Sequence, residues 1–212
     1  MNSKMLPGRF CILFLSVLIG ITYTSITAKS RDMSHLQKTI SKKIVRFHVI
    51  ANSDSDEDQA LKLKVKDAVV NYISPLLKNS KSIAESEKIL TEESAHIEAI
   101  ARQIISENGY DYSVNTTLCN TYFPTKSYGN YSFPPGEYRA YEIKIGEAKG
   151  KNWWCVLYPP LCFVDISHGV VDKEGEEMLS DTLSTDEYSA VCQDSNVSYR
   201  FKYLKFLNSL VD

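Results

Sequence analysis

The sequence predicts an α+β domain, in which two principal helices pack on a mostly antiparallel sheet behind an N-terminal signal or anchor segment. Three observations predict this plan. Apolar residues alternate with polar ones in several short segments, which is typical of strands. They recur at helical spacing in two longer segments, which indicates helices that each bury one face. Residues 10–28 carry no charge, whereas the rest of the 212-residue chain has an ordinary mixture of charged and apolar residues.

The N-terminal segment has the three parts of a secretory signal. Lys4 and Arg9 precede a short apolar core, and small, hydroxylated residues follow that core up to Ala28. A membrane-spanning helix needs about 20 mostly apolar residues, and only the first half of this segment is convincingly apolar. We therefore expect residues 1–28 to direct export across a membrane, with cleavage after Ala28. An uncleaved N-terminal membrane anchor is the alternative.

The composition of the remaining chain excludes several function classes. Without Lys4 and Arg9, 22 basic side chains face 26 acidic ones, so this part carries a net charge near −4. Such a balance argues against nucleic acid as a partner, since nucleic acid favours a basic face. The sequence has no P-loop, dinucleotide fingerprint or His-Glu-x-x-His motif, and we expect no cofactor and no small-molecule substrate. The length suits one domain with a sizeable core.

The first half of this chain reads as a strand and two helices. Residues 29–43 are polar and basic and are predicted to form a tether. The strand over 44–50 places Val45, Phe47 and Val49 on one face, with Arg46 and His48 on the other. A helix with a continuous apolar stripe follows the turn-forming residues after it. A second helix begins at a capping box formed by Ser82 and Glu85 and ends at Asn108-Gly109.

The second half reads as strands, with a weaker C-terminal part. Strands are predicted over 110–118, 137–145 and 153–158. Between the first two lies a long aromatic segment, and loops of that length in a compact domain are often functional. We assign the domain proper to residues 44–171. Residues 172–195 are acidic and poor in large apolar side chains, which predicts a linker, and residues 196–212 predict a strand and a short helix.

Export makes a disulfide the expected state of two cysteines. Cys119, Cys155, Cys162 and Cys192 lie after the N-terminal segment and allow three pairings. Cys155 with Cys162 is the favoured pair, because the prolines after Tyr158 force a bend between them. The spacing of these two cysteines is too wide for a zinc knuckle, and no second close pair exists. We therefore expect a disulfide or two buried thiols at Cys155 and Cys162, and no metal site.

The residues that invite a catalytic interpretation have simpler explanations. His48, Ser53 and Asp54 lie close together and suggest a hydrolase. However, Ser53 and Asp54 stand where a helix needs side-chain oxygens for its free N–H groups, so capping accounts for them. A thiol enzyme could use Cys155 or Cys162 with His168 and Asp165. The aromatic surroundings of those cysteines indicate burial, and buried thiols in apolar surroundings are inert. We predict no catalytic residue.

Aromatic residues are the stronger functional signal. They crowd into the segment from Tyr122 to Tyr158, where most must form core. A minority on the segment 122–133 should remain exposed, since loops lie on the surface. Lys126 and Arg139 supply nearby cations. Exposed aromatic side chains beside a cation are typical of protein interfaces, so this segment is either a packed loop or a partner-binding one.

Long strings of residues resemble one known family, the stage II sporulation protein R family. The similarity runs through RFHVIANSDS at 46–55 and DQALK at 58–62, and continues with ISPLL at 73–77 and NTYFPTK at 120–126. It ends with PGEY at 135–138 and NWWCVLYPPLCF at 152–163. It spans about 44–171, and strings this long are far more specific than a short motif. The tail from Asp172 resembles nothing that we can place.

The resemblance implies a non-catalytic signalling protein of endospore formation. Such proteins are exported across the forespore membrane into the intermembrane space, where they are released or held by an N-terminal anchor. There they activate a membrane-embedded aspartic protease that processes the pro-sigma factor of the mother cell. A secreted hydrolase or cell-wall-associated enzyme is the alternative. As a hypothesis, the partner surface comprises three stretches: Asn52, Ser53, Asp54; Tyr122, Phe123, Lys126; and Trp153, Trp154.

Overall fold

The computed structural model describes residues 6–162, 171 and 173–192, with the backbone alone for residues 6–11 and 26–32. In that part the helices are α1 Leu6–Ile40, α2 Asp56–Leu77, α3 Ile83–Glu92, α4 Ser94–Glu107, α5 Lys173–Thr182 and α6 Thr185–Val191. The strands are β1 Val45–Ile50, β2 Val114–Phe123, β3 Lys126–Tyr128, β4 Tyr131–Phe133, β5 Gly136–Ile145 and β6 Asn152–Tyr158. The strand and helix predicted within 196–212 lie outside the described residues.

The main sheet confirms the α+β class and its mostly antiparallel pairing. Its four strands lie in the order β2-β5-β1-β6. Strand β5 is antiparallel to β2 and β1 is antiparallel to β6, whereas the central pair of β1 and β5 is parallel. Strands β3 and β4 form a separate hairpin in the segment that we expected to be a loop. Every residue of β1 is buried, so the sheet is covered on both faces.

Three helices, rather than the two predicted, cover the first face. The long predicted helix from Ser82 to Asn108 is interrupted at Glu93, which ends α3 and precedes α4. The Tyr72 hydroxyl donates to Glu93 at 2.6 Å and holds this bend against α2. Because the chain bends there, the apolar residues of both α3 and α4 point into one core. The buried residues that α2, α3 and α4 bring to β1 include Leu61, Val65, Val69, Ile73, Leu90, Ile97 and Ala101.

The second face is covered by elements whose sequences suggested a tether and a linker. The end of α1 buries Ile40, and the segment from 173 to 191 forms α5 and α6 instead of an irregular chain. Leu179, Leu183 and Val191 are buried at helical spacing, so three apolar side chains suffice to dock an acidic segment. With the β3–β4 hairpin they complete a second core, which includes Ile44, Phe123, Tyr131, Phe133, Tyr138, Ala140 and Val156.

An ion pair joins α6 to the chain in front of β1. Lys43 Nζ lies 2.6 Å from Glu187 Oε2, and the Ser184 backbone N–H donates to the same oxygen at 2.8 Å. Burial alone raises the pKa of Glu187, but these hydrogen bonds outweigh it and lower the pKa from 4.5 to about 2. A carboxylate with a depressed pKa stabilises the fold above its unfolded pKa, and that contribution is lost as the pH falls from about 4.5 towards about 2.

We therefore expect Glu187→Gln to lower the free energy of unfolding at pH 7 by about 2 kcal/mol. The difference from the parent chain should shrink below pH 4.5 and become small as the pH reaches about 2, because Glu187 then becomes protonated in the folded parent as well. Urea unfolding at several pH values measures this. Glu174→Gln removes a solvent-exposed partner of Lys78 and should cost less than about 0.5 kcal/mol. Equal losses for the two variants would contradict the assignment.

Candidate functional site

Of the predicted site residues Asn52, Ser53 and Asp54, the first and the last hold the turn between β5 and β6, and Ser53 lies between them. Asn52 Oδ1 accepts from the backbone N–H of Glu147 at 3.0 Å, and Asp54 Oδ1 accepts from that of Lys151 at 2.6 Å. Asp54 is exposed, whereas Asn52 and Ser53 are half-buried. These polar side chains therefore have a structural role, and mainly the outward-facing side of Asp54 remains available to contact a partner.

Asp58 completes this network from the first turn of α2. Its carboxylate accepts from Asn52 Nδ2 at 2.9 Å and from Ser53 Oγ at 2.5 Å. Burial opposes ionisation, but the hydrogen bonds from Ser53, Asn52 and Tyr112 outweigh it and lower the pKa of Asp58. The capping residue of α2 is Ser55, whose side chain accepts from the Asp58 N–H at 3.2 Å. Ser53 and Asp54, to which we assigned capping, thus serve the adjacent network instead.

The two predicted tryptophans lie on opposite faces of the sheet. Trp153 packs on the first face against Phe47, with ring centroids 6.0 Å apart, and the Lys66 ammonium lies 4.9 Å from its ring centre. Trp154 is stacked on His48 on the second face, at 3.8 Å. Both tryptophans are half-buried. Because successive strand residues point to opposite faces, one flat partner surface cannot contact both rings equally.

Tyr122, Phe123 and Lys126 lie where β2 leads into the hairpin. Tyr122 is 57% exposed, whereas Phe123 is fully buried in the second core. Lys126 is half-buried and begins β3 opposite Phe133. Tyr122 is thus the large aromatic side chain of the predicted segment that is free to meet a partner, and Phe123 has a packing role.

The structure separates the predicted stretches into two groups. Tyr122 pairs with Glu137 at the beginning of β5, whereas Asn52 follows Ile50, which pairs with Lys144 near the end of β5. Seven residues of extended strand place these positions about 20 Å apart. Trp153 and Trp154 lie with the Asn52 group, because they pair with Val49 and His48 of β1.

Arg46 is a buried cation that the sequence prediction missed. Its side chain is fully buried, yet Nη1 has no hydrogen-bond partner among the residues that the structure describes, while Nε donates to the Cys155 carbonyl at 3.2 Å and Nη2 to the Tyr128 hydroxyl at 3.1 Å. Four aromatic rings surround the guanidinium, with centroids at 4.3 to 5.8 Å: Phe123, Tyr138, Phe133 and Tyr128. Cation–π attraction compensates part of the cost of burying this charge. The sequence signal that could have revealed this buried cation is an arginine within an apolar strand.

His48 is enclosed beside a carboxylate, which bears on the hydrolase alternative. It is 4% exposed, and Nδ1 lies 3.1 Å from Glu142 Oε2, which the sequence analysis did not single out. Neither ring nitrogen completes a hydrogen bond of standard geometry with any residue in the described part of the chain. The pKa of His48 is lowered, because burial disfavours the cation more strongly than Asn152 and Glu142 favour it. The imidazole is therefore neutral at neutral pH and is stacked against Trp154.

The polar groups around His48 are already paired or protonated, which argues against His48 acting as the base that activates a nucleophile. Glu142 also contacts Lys144 Nζ at 2.8 Å, so its charge is already compensated. The nearby thiol of Cys119 has a raised pKa, owing first to burial and then to Glu142, which keeps it protonated. Within the described ranges no set of three or more His, Cys, Asp or Glu side chains is placed to hold a metal ion.

Cys155 and Cys162 are joined by a disulfide, with their Cα atoms 5.5 Å apart. Neither sulfur is then available to a thiol enzyme. The partners considered for such an enzyme, His168 and Asp165, lie outside the described residues. Cys119 and Cys192 are free, half-buried thiols.

Fold and site together define an α+β domain that follows an exposed apolar helix and uses many of its polar side chains to hold its own loops. The chain belongs to the stage II sporulation protein R family, whose sequence profile matches residues 41–168. It is 36% identical over 176 residues to the stage II sporulation protein R of Bacillus subtilis (strain 168), covering 83% of this chain and 77% of that relative. No solved structure matches the chain. Membership in this family implies a role in sporulation.

Proposed function

We propose that this chain is an exported intercellular signal that activates a membrane-embedded aspartic protease, which then processes a pro-sigma factor in the mother cell. The observation that carries the proposal is the family match over 41–168, which covers all of the main sheet and the helices on its first face. The chain itself acts as a ligand in this proposal and turns over no substrate.

The exposed half of α1 supports export. Its apolar side chains are 43% to 69% exposed: Ile12, Leu13, Phe14, Leu15, Val17, Leu18, Ile19, Ile21 and Tyr23. Contiguous apolar surface of this kind favours a membrane or an export channel over water. None of the helices in the described part of the chain combines the length and the apolar character that a membrane crossing requires.

The position of Ala28 is compatible with release from the membrane. Ala28 lies within α1, and the residues of α1 that pack on the domain include Leu36, Gln37 and Ile40, which come later in the helix. Gln37 Nε2 donates to the Glu137 carbonyl at 2.5 Å, which ties the end of α1 to β5. Cleavage after Ala28 would leave these contacts in place. The exported protein is either released in this way or held by residues 1–28.

Co-expression in a non-sporulating cell tests the proposal. The chain, the membrane protease and the pro-sigma factor are produced together, and processing is followed by immunoblot. We expect processing with the full chain and none with a chain that lacks residues 1–28, because the latter stays on the wrong side of the membrane. Processing without the chain, or no processing with it, would refute the proposal.

The enclosure of His48 beside Glu142 is the one observation that favours the secreted hydrolase. The same co-expression experiment separates the two functions with His48→Ala, provided that the variant is folded and exported. A signalling ligand should retain processing after this change, because the His48 side chain is buried and leaves almost no surface for a partner to contact. A hydrolase that uses His48 as a base loses its function although binding persists.

A further inference from the structure

The disulfide between Cys155 and Cys162 closes the bend that follows β6. The two Cα atoms lie 5.5 Å apart, which is within the usual range for a disulfide. The Leu161 N–H donates to the Val156 carbonyl at 3.1 Å inside the same bend. Cys155 is 1% exposed and belongs to the core on the first face, whereas Cys162 is half-buried and packs against that core. The disulfide therefore fixes the path of the chain where it leaves the sheet.

Helix α5 packs directly on this bend. A Cβ added at Gly175 of α5 would lie 2.5 Å from the Pro160 carbonyl oxygen and 3.5 Å from the Leu161 side chain, so no side chain of Gly175 separates the helix from the bend. Met178 of the same helix lines one groove with Tyr158, the last residue of β6. Because the helix and the bend are in such close contact, a change in the path of the bend disturbs the docking of α5.

Helices α5 and α6 in turn hold the β3–β4 hairpin. The Tyr131 hydroxyl at the start of β4 donates to Glu176 Oε1 of α5 at 3.1 Å and lies 2.9 Å from the Tyr188 hydroxyl of α6. Cys192, which follows α6, pairs with Tyr131 in an antiparallel bridge. The hairpin begins at Lys126, which belongs to the candidate partner surface. These contacts therefore connect the bend after β6 to that surface through α5 and α6.

We propose that the disulfide between Cys155 and Cys162 is a redox switch, which locks α5, α6 and the hairpin in the form that activates the protease. In the forespore cytoplasm both cysteines are thiols, because cytoplasmic compartments are reducing. The bend is then free to open, and α5 and α6 undock more readily. Oxidation after export closes the bend and completes the partner surface. The inference rests on the proposed function, which supplies the export and the protease.

The oxidant in this step is a disulfide outside the forespore membrane. The Cys162 thiolate, which is the more exposed of the two, attacks one sulfur of that disulfide, and the external S–S bond breaks to release a first thiol. The Cys155 thiolate then attacks Cys162 Sγ, which forms the bond within the chain and releases a second thiol. The chain loses two electrons and two protons, and the external disulfide takes them up as two thiols.

Hydrogen–deuterium exchange of the full chain, before and after reduction with dithiothreitol, tests the lock. The amides of α5 and α6 should exchange at least about tenfold faster after reduction, and those of α2 and α4 should change by less than about twofold. The variant with Cys155→Ala and Cys162→Ala should exchange as the reduced parent does and should not respond to dithiothreitol. Cys119→Ser is the matched control, because it removes a free thiol and leaves the disulfide in place. It should respond as the parent does.

The co-expression assay supplies the functional measurement and separates this inference from the proposed function. At equal amounts of exported chain, the variant without the disulfide should process the pro-sigma factor at least about fivefold less than the parent. Normal processing by this variant overturns the inference and leaves the activator function intact. Unchanged exchange after reduction, or equal acceleration in every helix, also overturns it. Absence of processing with the parent chain refutes the proposed function, and the exchange experiment then still decides whether the disulfide locks α5 and α6.

Discussion

Replacing Gly150 by alanine should lower the free energy of unfolding by about 3 kcal/mol. An added Cβ would lie 2.1 Å from the Ser53 carbonyl oxygen and 2.9 Å from Ala51 Cβ. The turn cannot move away, because the Gly150 N–H donates to the Ala51 carbonyl at 3.0 Å and the Lys149 N–H to that of Asn52 at 3.1 Å. Relief of the clash therefore breaks the contact between the β5–β6 turn and the end of β1.

Gly109→Ala is the matched control for this change. Gly109 has a φ of 83°, but no atom lies within 4 Å of the added Cβ. Its replacement should cost only the backbone strain, about 1 kcal/mol. Equilibrium unfolding in urea measures both variants. A loss for Gly150→Ala no greater than that for Gly109→Ala would show that the turn relaxes freely. It would also show that the backbone of Asn52 and Ser53 does not hold the turn in place.

The Gly150 prediction bears on how the polar loop of this chain, Asn52 to Asp54, is interpreted. The sequence suggested that Asn52 to Asp54 carry more polar identity than packing demands. In the structure, Asn52 meets both the β5–β6 turn and Asp58, so packing accounts for most of that identity. Such a role depends on segments about 90 residues apart, and a single sequence does not reveal which segments meet. We therefore expect most of the partner surface to lie outside the stretch from Asn52 to Asp54.

Local sequence patterns predicted those helices and strands that are specified by residues close to one another in the chain. The alternation around Phe47 predicted β1, and the serine at 82 predicted the start of α3, where its side chain accepts from the Glu85 N–H at 3.2 Å. The strand over 137–145 differs from β5 by one residue. In each case the signal and the structure that it specifies lie within a few residues of each other.

Features that depend on distant contacts could not be predicted in the same way. The acidic segment forms α5 and α6 because Leu179 and Leu183 find a core built by residues far earlier in the chain. The aromatic segment after Phe123 forms a hairpin, and its rings Tyr128 and Phe133 close around Arg46, a residue more than 80 positions earlier in the chain. The pairing of His48 with Glu142 likewise follows from the parallel register of β1 and β5.

The second large effect concerns the end of β2. We expect Tyr122→Ala combined with Lys126→Ala to abolish processing of the pro-sigma factor while secretion and folding remain intact. Tyr122 is 57% exposed, and its removal leaves the buried Phe123 in place. Exposed tyrosines at the centre of an interface contribute about 2 kcal/mol or more each, so losing one with an adjacent cation weakens binding by about 30-fold or more.

The co-expression assay measures this effect as the processed fraction at equal amounts of exported chain. Leu63→Ala combined with Lys64→Ala is the matched control, because it also removes an exposed apolar side chain and a lysine, but from helix α2. That variant should process normally. Full processing by the Tyr122 and Lys126 variant would exclude this end of β2 from the interface. Loss of processing in both variants would instead indicate a defect in expression or export. The midpoint of urea unfolding and the amount of exported chain distinguish these causes. A loss confined to the Tyr122 and Lys126 variant places the contact at the exposed end of β2.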